Sequence, residues 1–314
     1  MSKRMKVIMM AGFIATAILF PSCHNLVGPT SSDYHNKILF TSKRSGVQQL
    51  YMVNPDGRGT QELTTGPYWH AWGRWSPDTK RIVAMTGENS STACPSEMVV
   101  FDVYGTNRRL LGCGAHVAWS PDGKKIAFSY MPRGEIGDLT THIYVMDVDG
   151  TNPLQLTDNL GDIDDTPSWS PDGNRIYFGS NRNDPTKNNP EIYCVKSDGT
   201  ELKQVTFTPN GYSTSPSISP DGKYMAFVSN RDSLTPAIFV MRLDTGGIRK
   251  VVRDPPGEVF NYPMWSPDGT MLVFVSGLTD GSTRTYIYTV NVDGTNLRKI
   301  IPDDDTAGLP DWSR

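Results

Sequence analysis

The sequence predicts an all-β chain, a six-bladed β-propeller of four-stranded antiparallel blades closed by strands from the two chain ends. Three observations predict it. One phrase recurs six times, beginning at Trp75, Trp119, Trp169, Ile218, Trp265 and Trp312, at spacings of 44, 50, 49, 47 and 47 residues. Short apolar runs within the repeats are separated by turn residues, to which 29 Gly and 23 Pro contribute. The first and last repeats are complementary fragments of one unit.

The first strand of each unit ends at the repeated Trp or Ile, and five of the six copies continue Ser-Pro-Asp. At Trp119, Trp169, Ile218 and Trp265 a Gly completes the phrase. Pro presets φ at the second turn position and Gly accepts the left-handed conformation, so the phrase reads as a tight hairpin.

The second strand carries an alternating pair: Ile82/Ala84, Ile126/Phe128, Ile176/Phe178, Met225/Phe227 and Leu272/Phe274, with Ile38/Phe40 matching them. Period two places both members on one sheet face. Burying each large member contributes roughly 1.5 to 3 kcal/mol before conformational entropy is counted.

A third strand begins at Leu50, Met98, Ile143, Ile192, Ile238 or Ile287 and typically ends in Asp-Gly-Thr, as at Asp149-Gly150-Thr151. A fourth strand follows, as at Leu154 to Thr157 or Leu202 to Thr206. Four short strands in about 50 residues make one propeller blade. Residues 37–64 hold the last three strands of a blade, and Pro310-Asp311-Trp312-Ser313 supplies an opening strand and stops. The two chain ends are expected to build one blade, which pairs the edges that an open ring would expose.

The first 23 residues differ from the rest. Lys3, Arg4 and Lys6 precede an apolar stretch from Val7 to Phe20, 14 residues, short for a membrane span and suited to a secretory signal. Pro21-Ser22-Cys23 then resembles a bacterial lipobox, although Phe20 and Pro21 depart from its commonest form. The expected organisation is a signal peptide over 1–22, lipidated Cys23 with a short tether over 23–36, and the propeller over 37–314. The chain is then exported, periplasmic and held to a membrane by lipid, with the outer membrane preferred.

Removing residues 1–22 takes the formal charge from -3 to -6, since three cations leave with them. Such a balance argues against nucleic-acid backbone binding. In an oxidising compartment Cys94 and Cys113, flanking two predicted neighbouring strands, are expected to form a disulfide, while Cys194 lies inside a strand as a buried thiol.

The repeated phrase, with its Ile-Ala-Phe and Ile-Tyr strands and Asp-Gly-Thr turn, resembles the TolB-like propeller repeats, a WD-repeat-like family, over about residues 36–313. TolB itself carries an additional N-terminal α/β domain; here residues 24–35 precede the repeats, so the chain reads as TolB-like and not as TolB. The resemblance implies a binding propeller with an envelope protein or peptide as partner, since TolB works with a peptidoglycan-associated lipoprotein. Some related propellers are oligogalacturonate lyases that hold a metal through channel histidines, and carbohydrate binding or cleavage is the alternative that this implies.

The stereotyped Ser-Pro-Asp-Gly and Asp-Gly-Thr turns share one face, which reads as structural. Binding is expected on the opposite face, where loops vary and a rigid scaffold presents them. Residues just before the inner strands should ring the channel mouth: Tyr68, Trp69, His70, Trp72, His116, Asp164, Asp165, Tyr212, Asn261 and Tyr262, with Asp162, Phe260 and Asp303 to Asp305 nearby. The aromatics suit peptide anchoring or sugar stacking, with packing between blades as the other reading. For the acids, solvated loop charge is preferred over a divalent cation such as calcium, and no cofactor is expected. His70 and His116 lack a third ligand at metal-binding spacing. Ser42-Lys43-Arg44, Ser180-Asn181-Arg182 and Ser229-Asn230-Arg231 recur after the second strand and read as corner hydrogen bonding. No Gly-x-Ser-x-Gly elbow, phosphate loop or Cys-His nucleophile motif occurs, so a monomeric non-enzyme is expected.

Overall fold

The computed structural model describes residues 34–88, 94, 96–131, 140–158, 161–233, 235–252, 257–278, 280, 282–301 and 307–314. The signal segment, Cys23 and Asp303 to Asp305 lie outside these residues.

Six four-stranded antiparallel sheets are arranged as blades. Blade one joins Gly308–Trp312 to Ile38–Ser42, Gln49–Val53 and Gln61–Glu62. Blade two is His70–Trp75, Arg81–Thr86, Glu97–Asp102 and Arg109–Cys113; blade three is Ala115–Trp119, Lys125–Tyr130, His142–Asp147 and Leu154–Gln155. Blade four is Asp164–Trp169, Arg175–Ser180, Glu191–Lys196 and Lys203–Gln204; blade five is Ser213–Ile218, Tyr224–Ser229, Ala237–Arg242 and Ile248–Lys250. Blade six is Glu258–Trp265, Met271–Leu278, Thr285–Asn291 and Arg298–Ile301.

The core is divided into slices between neighbouring blades. The pair Ile82/Ala84 lies in the slice against blade one, Ile126/Phe128 in that against blade two, and Ile38/Phe40 in that against blade six. The residue between the members faces the other way: Leu39 joins the slice with blade two and Val83 the slice with blade three. Second strands are therefore buried on both faces, which is why Ile38–Ser42 is buried throughout. The repeated Trp adds a polar tie. Trp119, Trp169 and Trp265 donate Nε1–H to the carbonyls of Arg74, Ala118 and Ser217 in the preceding blade, at 3.1, 3.2 and 2.9 Å.

The Ser-Pro-Asp turns are held identically. Ser120 Oγ donates to Asp122 Oδ1 at 2.6 Å and accepts from Lys125 N at 2.8 Å, and Gly123 takes φ 69°. In blade two Thr79 fills the glycine position at φ 57°, a costly conformation for a β-branched residue, and its Oγ1 is buried without a hydrogen-bond partner.

Corners at the ends of the second strands use the recurring Arg. Arg182 donates Nε–H to Ser180 Oγ at 2.9 Å and lies 5.4 and 5.0 Å from the Phe178 and Tyr193 ring centroids; Arg44 and Arg231 repeat this arrangement. At the corresponding end of blade two, His70 is 7% exposed, with Nδ1 3.1 Å from Gln49 Oε1. Burial, reinforced by the Arg108 charge, pushes its pKa down to about 4.

Closure follows the predicted scheme. Trp312 pairs with Ile38 and Asp311 with Leu39, Ser313 N donates to Lys37 O at 2.8 Å, and Lys37 N donates to Ser313 Oγ at 2.7 Å. Tyr34, expected in the tether, is instead buried against Trp75 with ring centroids 6.0 Å apart, because Ser313 Oγ holds its carbonyl at 2.5 Å. Cys94 and Cys113 are joined, Cα atoms 5.5 Å apart; Cys113 belongs to the fourth strand itself, paired with Glu97. Cys194 is buried, and burial pushes its thiol pKa up.

Removing residues 310–314 is expected to open blade one and abolish protease resistance; truncating Trp312 to Ala alone should cost about 3 to 5 kcal/mol in urea unfolding. Thr79→Gly should gain about 1 kcal/mol, since it relieves the left-handed strain and removes an orphaned hydroxyl. His70 titrates near 6.5 when unfolded but only near 4 in the fold, so the stability that it confers as a neutral group is complete above pH 6.5 and is lost as pH falls towards 4. The stability advantage of wild type over His70→Gln should shrink by roughly 3 kcal/mol between pH 7.5 and 4, measured by urea unfolding at each pH.

Candidate functional site

The inner strands all carry one irregularity. Three residues before the repeated Trp or Ile, the chain takes a left-handed residue: Trp72 at φ 57°, His116 at 50°, Thr166 at 54°, Ser215 at 53°, Tyr262 at 53° and Leu309 at 53°. The strand pairing slips at the same places, between Ala71 and Arg74, Ala115 and Ala118, Asp165 and Ser168, Thr214 and Ser217, and Asn261 and Met264. Such bulges re-aim a side chain, and here they form a ring around the central channel. Non-glycine residues held left-handed store strain, which concentrates at sites that use it.

Half of this ring is aromatic. The Trp72 ring contacts the His116 imidazole, centroids 3.6 Å apart, and meets Tyr262 edge-on at 5.7 Å. Blades two, three and six thus place three rings together across the channel. Thr166 and Ser215 from blades four and five supply hydroxyls, and Leu309 from blade one completes the ring.

Asp165 joins the cluster. Its Oδ1 contacts His116 Nδ1, accepts from Ser129 Oγ at 3.0 Å and from Thr166 N at 2.7 Å. An Nδ1–H donated to Asp165 leaves His116 Nε2 as an acceptor, and that atom is buried without a hydrogen-bond partner, as is Thr166 Oγ1. Burial, with the Asp165 charge adding to it, pushes the Tyr262 phenol up to about 12.

Towards the Ser-Pro-Asp turns the channel widens into a cavity of about 170 Å³. Pro77, Pro121, Pro171, Pro220 and Pro267 form its lip; Arg74, Asp311, His116, Thr166 and Tyr262 are in its wall. Arg74 donates Nη1–H to the Gly73 and Pro310 carbonyls at 3.3 and 3.2 Å, and Asp311 Oδ2 accepts from Trp75 N at 2.7 Å. Burial lowers the Arg74 pKa and raises that of Asp311. This cavity lies at the stereotyped face, opposite the loops that vary.

The expected ring of mouth residues divides by position. Trp72, His116, Asp165 and Tyr262 converge in the channel. His70 and Asp164, five residues before their Trp, point into the blade instead, as the buried Ser213, Phe260 and Ala307 do at the same position. Asp164 is 0% exposed and clasped by Arg182 Nη2 at 2.8 and 2.7 Å, while Asp162 is buried and paired with Lys187 Nζ at 2.5 Å. The reading of these two acids as solvated charge is corrected: ahead of the bulge the strand alternates normally, and that register turns them towards cations of the blade.

Tyr68 is 45% exposed on the rim, and Trp69 packs its indole over Gly87, where a Cβ would clash with Nε1. Tyr212 and Asn261 are half-buried; the Tyr212 carbonyl accepts from Ser229 Oγ at 2.8 Å, and burial pushes its phenol pKa up. Among the described residues no group of three or more His, Cys, Asp or Glu converges as a metal-binding set. Arg74, Thr166 and Asp311 escaped the sequence reading; the signal available was their fixed offset from the repeated Trp.

Comparison with known proteins agrees with this fold. Residues 109–314 match the PD40 family model, described as the TolB beta propeller domain. A TolB homolog of Chlorobium luteolum is 30% identical over 151 residues, which are 48% of this chain; the chain spans 33% of the length of that relative. The crystal structure of TolB from Acinetobacter baumannii superposes with a TM-score of 0.72 at 21% identity, over 90% of this chain and 67% of that one. The oligogalacturonate lyase of Vibrio parahaemolyticus superposes at 0.58 and 16% identity, over 84% and 74%, a likeness of fold. By its repeats, its six blades and the match over residues 109–314, the chain belongs to the TolB β-propeller domain family.

Proposed function

We propose that this chain is an envelope-anchored binding and scaffold propeller, exported and tethered by lipid at Cys23, that docks a segment of an envelope protein at the variable-loop mouth of its channel. The observation that carries the reading is the convergence of Trp72, His116 and Tyr262 from three blades on one spot of the channel. Aromatic side chains held rigidly in a recess supply most of the energy in peptide anchoring, and the strained backbone beneath them fixes their direction. Tyr68 on the rim and the half-buried Trp69 extend the apolar surface outwards. Membership of the TolB propeller family supports a protein partner in general.

A carbohydrate or metal-dependent lyase role is the competing reading. His70 is committed to Gln49 inside its blade, which leaves the His116 and Asp165 pair in the channel, short of a three-donor set among the described residues.

Cross-linking in intact cells, followed by mass spectrometry of captured proteins, tests the proposal. The double variant Trp72→Ala, Tyr262→Ala should lower capture about thirtyfold or more, with blade content preserved by circular dichroism. Unchanged capture would remove the channel mouth as the docking site. Bound manganese together with release of unsaturated sugar from oligogalacturonate would replace docking with the lyase reading.

A further inference from the structure

The cavity at the Ser-Pro-Asp end holds a group that partner docking on the opposite face does not use. Arg74 is a channel-wall cation whose two hydrogen bonds both end on backbone carbonyls, through Nη1 alone. Asp311, the acid that favours its charge, spends Oδ2 on the Trp75 backbone. Buried guanidinium groups are stabilised by bidentate oxyanion partners, and Nε and Nη2 have not been spent on one here.

Two more groups on the same wall are incompletely satisfied. Thr166 Oγ1 and His116 Nε2 are buried without partners, the first able to donate a hydrogen bond and the second set to accept one. The lip above them is five prolines, apolar and rigid, with Arg314 of blade one in the sixth place. At about 170 Å³ the space suits one residue of a chain and not a folded element.

We infer that this cavity captures the C-terminal carboxylate of a peptide whose last side chain is apolar. The Arg74 fork and the Thr166 hydroxyl donate to the carboxylate. The amide N–H of the terminal residue donates to His116 Nε2, and the apolar side chain rests on the proline lip. A free small carboxylate shares the first part of this chemistry but lacks the amide.

Intrinsic tryptophan fluorescence reads the site directly, since Trp75, Trp119, Trp169, Trp265 and Trp312 line it. The mature full chain would be titrated with acetyl-Ala-Ala-Leu as free acid, the same peptide as C-terminal amide, and hexanoate. The free acid should bind, and amidation or Arg74→Met should each weaken it about tenfold or more, the range for a hydrogen-bonded charge. Thr166→Val, which keeps the side-chain shape, should weaken it by a smaller factor. Tighter binding of the peptide acid than of hexanoate supports a chain terminus. Equal binding of the two would replace the peptide by a free carboxylate. The proposal is overturned if the amide binds as well as the acid, if Arg74→Met binds as wild type does, or if the peptide acid gives no signal up to about 10 mM, near the limit of specific affinity. The acid and amide comparison needs no variant, so a misfolded Arg74→Met protein does not blunt the test. Capture of an envelope protein at the opposite mouth can fail or succeed separately, because the acid and amide comparison is made on the unsubstituted chain and reads a carboxylate requirement that the capture assay does not.

Discussion

Everything in this molecule depends on packing between neighbours in a closed ring. No blade owns a core: each slice of apolar side chains belongs to two blades, and Ile38, Phe40, Val273 and Ile287 at the seam obey the same rule as the rest. A sheet buried on both faces is stable only while both neighbours are present. The pairing of Gly308–Trp312 with Ile38–Ser42 is therefore a condition for every slice, since without it blade six and blade two would each lose a covering surface.

The ring also shapes the centre. Inner strands that converge on an axis leave room for few side chains, and the left-handed residue with its bulge decides which ones enter. Trp72, His116 and Tyr262, from blades two, three and six, meet across it, while blades four and five contribute the smaller Thr166 and Ser215. Two environments follow along one channel: an aromatic constriction towards the variable loops, and towards the Ser-Pro-Asp turns a largely apolar cavity with a proline lip and a few polar groups such as Arg74 and Thr166 in its wall. Asp165 and His116 sit where the two meet.

Much of the fold was legible because the repeat writes the same physical demand six times. The alternating pair, the turn glycine and the fragments at the two ends each translate into a local rule, and Ile82, Phe178, Gly173 and Trp312 occupy the places that those rules assign. The channel was legible only in outline. Period-two alternation cannot anticipate a bulge, so His70 and Asp164, which turn into their blades, could not be separated from Trp72 and Asp165, which turn inwards. Arg74 and Asp311 were hidden for a related reason: each is an ordinary charged residue beside a structural Trp until the six inner strands are brought together. Tyr34 was unreadable as a packed residue because its anchor, Ser313, is 279 positions away.

The left-handed ring has a further meaning for how such a protein changes over time. Its geometry is written in the backbone at one fixed distance from the Trp, and side chains as different as Leu309, Thr166 and Trp72 occupy it with φ between 53° and 57°. Chemistry at the axis can therefore be exchanged one spoke at a time while the scaffold stays intact. A single architecture is then free to acquire new ligands by single substitutions, with little need for correlated change elsewhere in the wheel.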